Sequence, residues 1–327
     1  MDPIELASIG KTEVEVTRLG LGGAPMGGLF TDVAERQAKQ TLEQAHQQGL
    51  RYFDTAPLYG SGKSEKFFGS FLSEISRDDF VLSTKVGRVL DRTRISEDDG
   101  MFENLPDLEV RFDFSRDGVL RSIEDSLVRL RLDKIDIVLI HDPDEHFEQA
   151  ISESFPTLAE LRSQGVIGAV GAGMNQWEML ARFANEGDFD CFLLAGRYTL
   201  LDFSALTEFM PLCLEKNISV ILGGPYNSGI LASDLGPDST YFYEKAPSEV
   251  IDRAQEIRKI CNEFSVPLKA AALQFGLLHP AVAATIPGAR ESAEVSENIK
   301  MASLNIPSSF WNALKSEGLI PAEVPTG

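Results

Sequence analysis

The sequence predicts an α/β protein, a (β/α)8 barrel, and three observations carry that expectation. Eight short apolar runs of strand length recur along the chain, stretches with helical spacing separate them, and chemically loaded residues stand where the runs end. At 327 residues the chain exceeds the usual domain size, yet barrels of this kind reach about 250 residues or more as one unit. A single barrel domain over 1–327 is therefore expected. With 43% hydrophobic and 24% charged residues, the composition is that of a globular protein able to bury a sizeable core.

In chain order the runs are "TRLGLGG", "YFDTA", "FVLSTK", "IDIVLIH", "VIGAVGA", "CFLLAG", "ISVILGG" and "VAATIPG". Strands that are apolar at nearly every position belong to a parallel sheet covered on both faces, because alternation survives only where one face meets water. Helical periodicity falls at 33–49, 117–132, 151–164, 176–185 and 250–264. An open doubly wound sheet is the rival, but it should open a helix directly after a GxGxxG turn. Here "GLGGAPMGG" is followed by no helical pattern until about residue 33. Those glycines read as a tight strand exit with close backbone approach to a ligand, or else as a plain flexible turn. Two connections, 86–115 and 224–247, exceed the usual two to six residues and are expected to be lids or binding loops.

Thirty Lys and Arg against fifty Asp and Glu leave a formal charge of −20. Such a field repels phosphate backbones and anionic lipid, so nucleic acid and membranes are not expected partners and a small-molecule substrate is. Cys191, Cys213 and Cys261 stand far apart with no CxxC pair, which reads as buried thiols in a reducing compartment. The start, "MDPIELASIG", has acids where a signal peptide carries positive charge, and no apolar run approaches the ~18 residues of a membrane span. A cytoplasmic location is expected. Oligomeric state is not legible.

Four polar residues end or follow strand candidates: Asp54, Lys85, His141 and Asn175. In a barrel these positions share one rim, the face where working sites are built. A lysine at the inner end of a barrel strand is costly to bury unless paired, and Asp54 on the neighbouring strand is its nearest acid. Tyr59 follows Asp54 by five positions. A free phenol titrates near 10, and an adjacent ammonium is expected to lower that value toward useful proton exchange. His141 would orient the reacting oxygen. Together Asp54, Tyr59, Lys85 and His141 describe a proton-transfer site facing a C–O bond. Two other chemistries fit parts of the pattern: Lys85 as the Schiff-base lysine of an aldolase, and His141, Asp142, Asp144 and His146 of "HDPDEH" as metal ligands. The second lacks partner histidines, since His46 and His279 fall in helical stretches, and no metal is expected.

"YFDTAPLYGSGKSE", "STKVGR" and "LIHDPD" resemble the three active-site segments of the aldo-keto reductase superfamily, a (β/α)8 (TIM) barrel family. The resemblance runs from about Leu19 to Asn298 and implies a catalytic tetrad of Asp54, Tyr59, Lys85 and His141. "GGAPMGGLF", "GRYTLLD" and "GPYNSGILA" look most like the branch of D-threo-aldose (L-fucose) dehydrogenases and pyridoxal 4-dehydrogenase. It also implies a nicotinamide dinucleotide lying extended across the barrel mouth. Asn175 would hold its carboxamide, and Tyr198 would stack on its ring. Gly23 and the loop residues Gly224, Pro225, Asn227, Gly229 and Leu231 would line its path. Gly288 and Arg290 would meet phosphate near a helix N-terminus, and Glu297 and Asn298 would meet adenine. Met174 and Ala195 replace the serine and glutamine that the family usually adds around the carboxamide. Glu294 stands where relatives using NADP place an arginine or glutamine; a carboxylate there repels a 2′-phosphate and suits a ribose hydroxyl, so NAD is expected, with Arg290 the one group that could reach such a phosphate.

The reaction so implied is NAD-dependent oxidation of the hemiacetal carbon of a cyclic aldose to a lactone. Pyridoxal closed into its own hemiacetal and oxidised to 4-pyridoxolactone is the alternative. A cofactor-binding regulatory subunit is the reading from another class. Met26, Tyr59, His141 and Tyr226 are the expected substrate contacts, and Phe30, Phe102, Phe112, Trp177 and Phe242 are further candidates for the pocket wall.

Overall fold

A computed structural model describes residues 2–91, 101–106 and 108–326. All eight apolar runs become strands of one all-parallel sheet: β1 (Leu21–Gly22), β2 (Tyr52–Asp54), β3 (Val81–Val86), β4 (Ile137–His141), β5 (Ala169–Met174), β6 (Cys191–Ala195), β7 (Ser219–Gly223) and β8 (Val282–Ile286). Neighbours in sequence are neighbours in the sheet, and parallel bridges Leu19–Thr285 and Gly22–Gly288 join the two edge strands into a barrel. The near-continuous hydrophobicity has a simple cause. Phe53, Val138, Ile140, Phe192 and Leu194 face the helical layer, whereas Tyr52, Ile137, Leu139, Cys191 and Leu193 fill the lumen. Both faces are dry, so both sets must be apolar.

Helices cover the outside: α1 (Glu35–Gln47), α2 (Lys63–Leu72), α3 (Arg116–Leu130), α4 (Phe155–Ser163), α5 (Trp177–Glu186), α6 (Phe209–Lys216), α7 (Ser248–Glu263), α8 (Leu268–Leu277), α9 (Ser292–Ser303) and α10 (Ser308–Ser316). The five expected helices match α1, α3, α4, α5 and α7 to within a few residues, although the turn Ala150–Ser154 ahead of α4 is a π-helix. His279 lies past the end of α8 rather than inside a helix. Ser115 caps α3 by accepting from the Gly118 amide at 3.1 Å, the arrangement that makes serine a strong helix starter. Between α2 and α3, fully buried Glu65 accepts from Arg129 at 2.6 Å and from the Thr84 hydroxyl at 2.7 Å, which ties both helices to β3.

An antiparallel hairpin (Leu6–Ser8 with Glu15–Thr17) precedes the barrel and closes the end where the strands begin. Ile9 and Val16 join the lumen cluster, and the Gly10 amide donates to Ser219 Oγ at 2.8 Å. Gly10 has φ +56°, and a Cβ there would sit 2.5 Å from the Asp190 carbonyl oxygen, so only glycine fits.

Both long connections contain structure. In the first, Arg88–Asp91 pairs with Glu109–Phe112; residues 92–100 and 107 of the expected 86–115 loop lie outside the described residues. In the second, the turn Ile230–Ala232 is followed by the hairpin Thr240–Tyr241 with Glu244–Lys245. Cys191, Cys213 and Cys261 are free and buried. Among the described residues no helix is long and apolar enough to cross a membrane.

Candidate active site

At the C-terminal ends of the strands, β2, β3 and β4 deliver Asp54, Lys85 and His141 to one place. Period-2 alternation points all three inward, since Asp54 follows lumen-facing Tyr52 by two and His141 follows lumen-facing Leu139 by two. The Lys85 ammonium donates to both carboxylate oxygens of Asp54, at 3.0 and 2.8 Å, and to the Thr55 carbonyl at 2.9 Å. Ser83 donates to Asp54 Oδ1 at 2.6 Å. Lysine and aspartate are each 1% exposed, so both charges are held by partners rather than water.

Tyr59 stands above this pair, with the ammonium 4.7 Å from the centre of its ring. The glycine run buttresses the tyrosine: a Cβ on Gly27 would lie 2.6 Å from the Tyr59 carbonyl carbon, and one on Gly60 2.2 Å from the Gly27 carbonyl oxygen. The close backbone approach expected of "GLGGAPMGG" is thus made to the tyrosine segment. His141 meets the Tyr59 ring edge-on, with centroids 5.9 Å apart.

Electrostatics depart from the expectation in one respect. Burial pushes the Tyr59 phenol up to about 12; Lys85 pulls in the expected downward direction, and burial with the Asp54 charge outweighs it. Burial alone would pull the Lys85 ammonium down, but Asp54 and Tyr59 hold it above its ordinary value. His141 is held well below the ordinary histidine range by burial and then by Lys85 and Arg88, so it is a neutral imidazole. Its Nδ1 is buried with no partner, and Nε2 lies 3.5 Å from Asp142 Oδ2.

Beside these residues opens a cavity of about 250 Å³, lined by Tyr59, Lys85, His141 and Asn175 and walled by Leu29, Leu58, Phe102, Met174, Leu193 and Tyr243. Phe102 lies over Tyr59, with centroids 6.4 Å apart and 30° between planes. Asn175 donates to the Ala195 carbonyl at 2.9 Å. A larger open groove of about 930 Å³ lies at the opposite end of the barrel, but its Arg77–Asp136 and Arg162–Asp190 charges are paired with each other at 2.5 and 2.7 Å. The smaller cavity is the one on which Tyr59, Lys85 and His141 converge.

Several expected contacts sit elsewhere. Met26 is fully buried in the outer core rather than on the cavity wall. Tyr198 is 1% exposed, tilted on Phe275 and edge-on to His279, and it does not line this cavity. Tyr226 donates to Asn298 Oδ1 at 2.7 Å, which places it at the α9 end of the mouth and away from the tetrad. Leu231 and Pro225 are buried, and the Leu231 amide is already bonded to the Tyr226 carbonyl. Gly23 spends its amide on the Asp54 carbonyl at 2.7 Å. Phe112 packs on Arg88, Phe242 on Arg197, Phe30 on Tyr243, and Trp177 on the outer core. His146 packs against Phe112 and Phe114.

The segment 224–231 nevertheless crosses the mouth. Asn227 donates to the Gly196 carbonyl at 3.3 Å, its Oδ1 is buried and unpartnered, and a Cβ on Gly229 would meet open space. At the far end Glu294 accepts from the backbone amide of Arg290 at 2.7 Å and from its guanidinium at 2.7 Å, while Lys269 bonds Glu297 at 2.6 Å. Arg290 is therefore engaged by Glu294. Missed by sequence reasoning were Arg88, Leu29, Leu58 and Tyr243 on the cavity wall; Arg88 stood inside the quoted "STKVGR".

A family model for the aldo/keto reductase family matches residues 18–317. The chain belongs to the aldo/keto reductase family. It is 40% identical over 337 residues to pyridoxal 4-dehydrogenase of Microbacterium luteolum, covering 97% of this chain and 98% of that protein. It is also 40% identical over 313 residues to D-threo-aldose 1-dehydrogenase of a Pseudomonas species, covering 94% and 95%. Among solved structures, the aldo-keto reductase AKR11C1 of Bacillus halodurans in its holo form superposes with a TM-score of 0.79 at 23% identity, covering 98% of this chain and 97% of that one, which shows the shared fold. With this family and these relatives, the activity class is an oxidoreductase.

Proposed function

We propose that the protein is an NAD-dependent dehydrogenase that oxidises the hemiacetal carbon of a cyclic aldose of the D-threo (L-fucose) type to a lactone. The observation that carries this reading is the buried Asp54–Lys85 pair beneath Tyr59, with a neutral His141 facing the same cavity. Asp54 fixes the ammonium, the ammonium favours the ionised phenol, and Tyr59 as phenolate accepts the hydroxyl proton of the substrate. His141, uncharged, hydrogen-bonds the same oxygen and orients it. A bound nicotinamide would supply the hydride acceptor. Asn175, the orphaned Asn227 Oδ1 and the open edge at Gly229 suit such a dinucleotide, with Gly288, Arg290, Glu294, Glu297 and Asn298 toward its adenosine. Glu294, bonded to Arg290, keeps that cation from a 2′-phosphate, which favours NAD.

Pyridoxal oxidised to 4-pyridoxolactone is the second reading. It is supported by the 40% relative that carries that activity and by the apolar walls Leu29, Leu58, Phe102, Met174, Leu193 and Tyr243. Steady-state rates with L-fucose, D-arabinose, L-galactose and pyridoxal test the reading: the preferred substrate should turn over with NAD at a kcat/KM at least about tenfold above that with NADP, and Glu294→Gln should narrow that ratio. A preference for NADP in the parent enzyme would overturn the cofactor assignment.

A further inference from the structure

Arg88 and Asp142 form a charge pair inside the cavity wall, immediately beside His141. The guanidinium donates to Asp142 Oδ2 at 2.8 Å, and the same oxygen lies 3.5 Å from His141 Nε2. Both side chains line the cavity that holds Tyr59 and Lys85. The pair is far from fully solvated: the arginine side chain is 16% exposed and the aspartate 27%. Arg88 Nε is buried with no partner, although a guanidinium has five donors in a rigid fork. Its guanidinium carbon lies over the Phe112 ring, 4.7 Å from the ring centre. Asp142 has φ +42°, in the left-handed region that aspartate enters more readily than most residues. Apart from this pair, Asn175 and Tyr243, the wall beyond Tyr59, Lys85 and His141 is apolar, with Leu29, Leu58, Phe102, Met174 and Leu193. A substrate seated on the tetrad therefore meets one strong donor and one strong acceptor in a single direction.

We propose that the Arg88–Asp142 pair is the substrate-orienting subsite of this cavity, gripping the oxygen that a ring substrate carries beside its hemiacetal carbon. The inference rests on the oxidation proposed above and names what that site recognises. Arg88 donates to the oxygen, and Asp142 accepts from it when it is a hydroxyl. In an aldose the oxygen is the 2-hydroxyl; in pyridoxal it is the 3-oxygen of the ring. Fixing it sets the rotation of the ring, so that the hemiacetal C–H and O–H face the nicotinamide position and Tyr59 respectively. Hydrogen bonds to a charged fork are directional enough for that task.

The test pairs each substrate with its analogue lacking that oxygen: L-fucose with 2-deoxy-L-fucose, and pyridoxal with 3-deoxypyridoxal. The full-length enzyme, Arg88→Met and Arg88→Lys are assayed with saturating NAD, with folding followed by circular dichroism. For the true source of the oxygen, the parent enzyme should favour the oxygenated member by about tenfold or more in kcat/KM, mostly through KM. Arg88→Met should reduce that preference to within about twofold, and Arg88→Lys, which keeps the cation and loses the fork, should fall between. Equal losses on both members of each pair would show that Arg88 only neutralises Asp142, and would overturn the proposal.

If none of the four compounds turns over, the dehydrogenase reading fails and the subsite is read by calorimetric titration of the same compounds. Tighter binding of an oxygenated member, abolished in Arg88→Met, supports the subsite; binding that ignores the oxygen, or no binding, overturns it.

Discussion

A phenol pushed up to about 12 is almost wholly protonated at neutral pH, which fixes the pH behaviour of any oxidation it serves. The phenolate fraction, and with it the oxidation rate, is expected to rise about tenfold per pH unit through neutrality and to be still rising at pH 9. A pH profile of kcat/KM that is flat from pH 7 upward would remove Tyr59 from the role of base. Tyr59→Phe is expected to lower kcat by about 10²–10⁴-fold with little change in cofactor binding. The convergence of Asp54, Tyr59, Lys85 and His141 was legible because polar residues at the ends of apolar strands have one rim to share. Met26, Tyr198 and Tyr226 were not legible in the same way. Whether such a side chain faces a cavity depends on which helix lands on it, and Phe275 of α8 and Asn298 of α9 settled two of them from far along the chain.

Strain and burial at the level of single elements yield two further expectations. The hairpin Thr240–Tyr241 with Glu244–Lys245 turns on Phe242 and Tyr243, at φ +48° and +66°, where Asn-Gly is the usual choice. Two aromatic residues in a left-handed turn cost energy, and Tyr243 lies on the cavity wall. Tyr243→Gly is expected to stabilise the fold by about 1 kcal/mol, or about 2 °C in Tm, while lowering kcat/KM. Calorimetry with parallel kinetics checks both halves. Between α2 and α3, Arg129→Ala leaves buried Glu65 without its cation and is expected to cost about 3–5 kcal/mol in urea unfolding. The turn was not readable from sequence because its residues are poor turn formers. The Glu65–Arg129 pair was not, because its partners are 64 positions apart.

Over the whole molecule, acid should act first through histidines. Burial holds His141 well below the ordinary range and His279 down to about 4, so the folded protein keeps both neutral while the unfolded chain protonates near 6.5. Stability is then present above about 6.5 and is lost as pH falls below it, by about 1.4 kcal/mol per pH unit for each such histidine. Urea midpoints at pH 7, 6 and 5 should show this slope. His279→Gln, remote from the cavity, should reduce it without affecting turnover. At this scale the fold was nearly all legible, since eight apolar runs dictated eight strands. The helices α2, α6, α8, α9 and α10 were not anticipated from periodicity: α8 is buried along almost its whole length and so has no polar stripe.

The seam that joins Leu19 to Thr285 also sets an order of events during synthesis. The first strand's free edge must wait for the eighth, so everything from Leu19 to Thr285 has to leave the ribosome before the cylinder can close. Until then the nascent chain carries an exposed β-edge, the kind of surface that chaperones shield, and closure pays a loop entropy that grows only slowly with length. Linking residue 327 to residue 1 and opening the chain at an exposed turn would move that edge, and the refolding yield of such a permuted form would report how much the waiting costs.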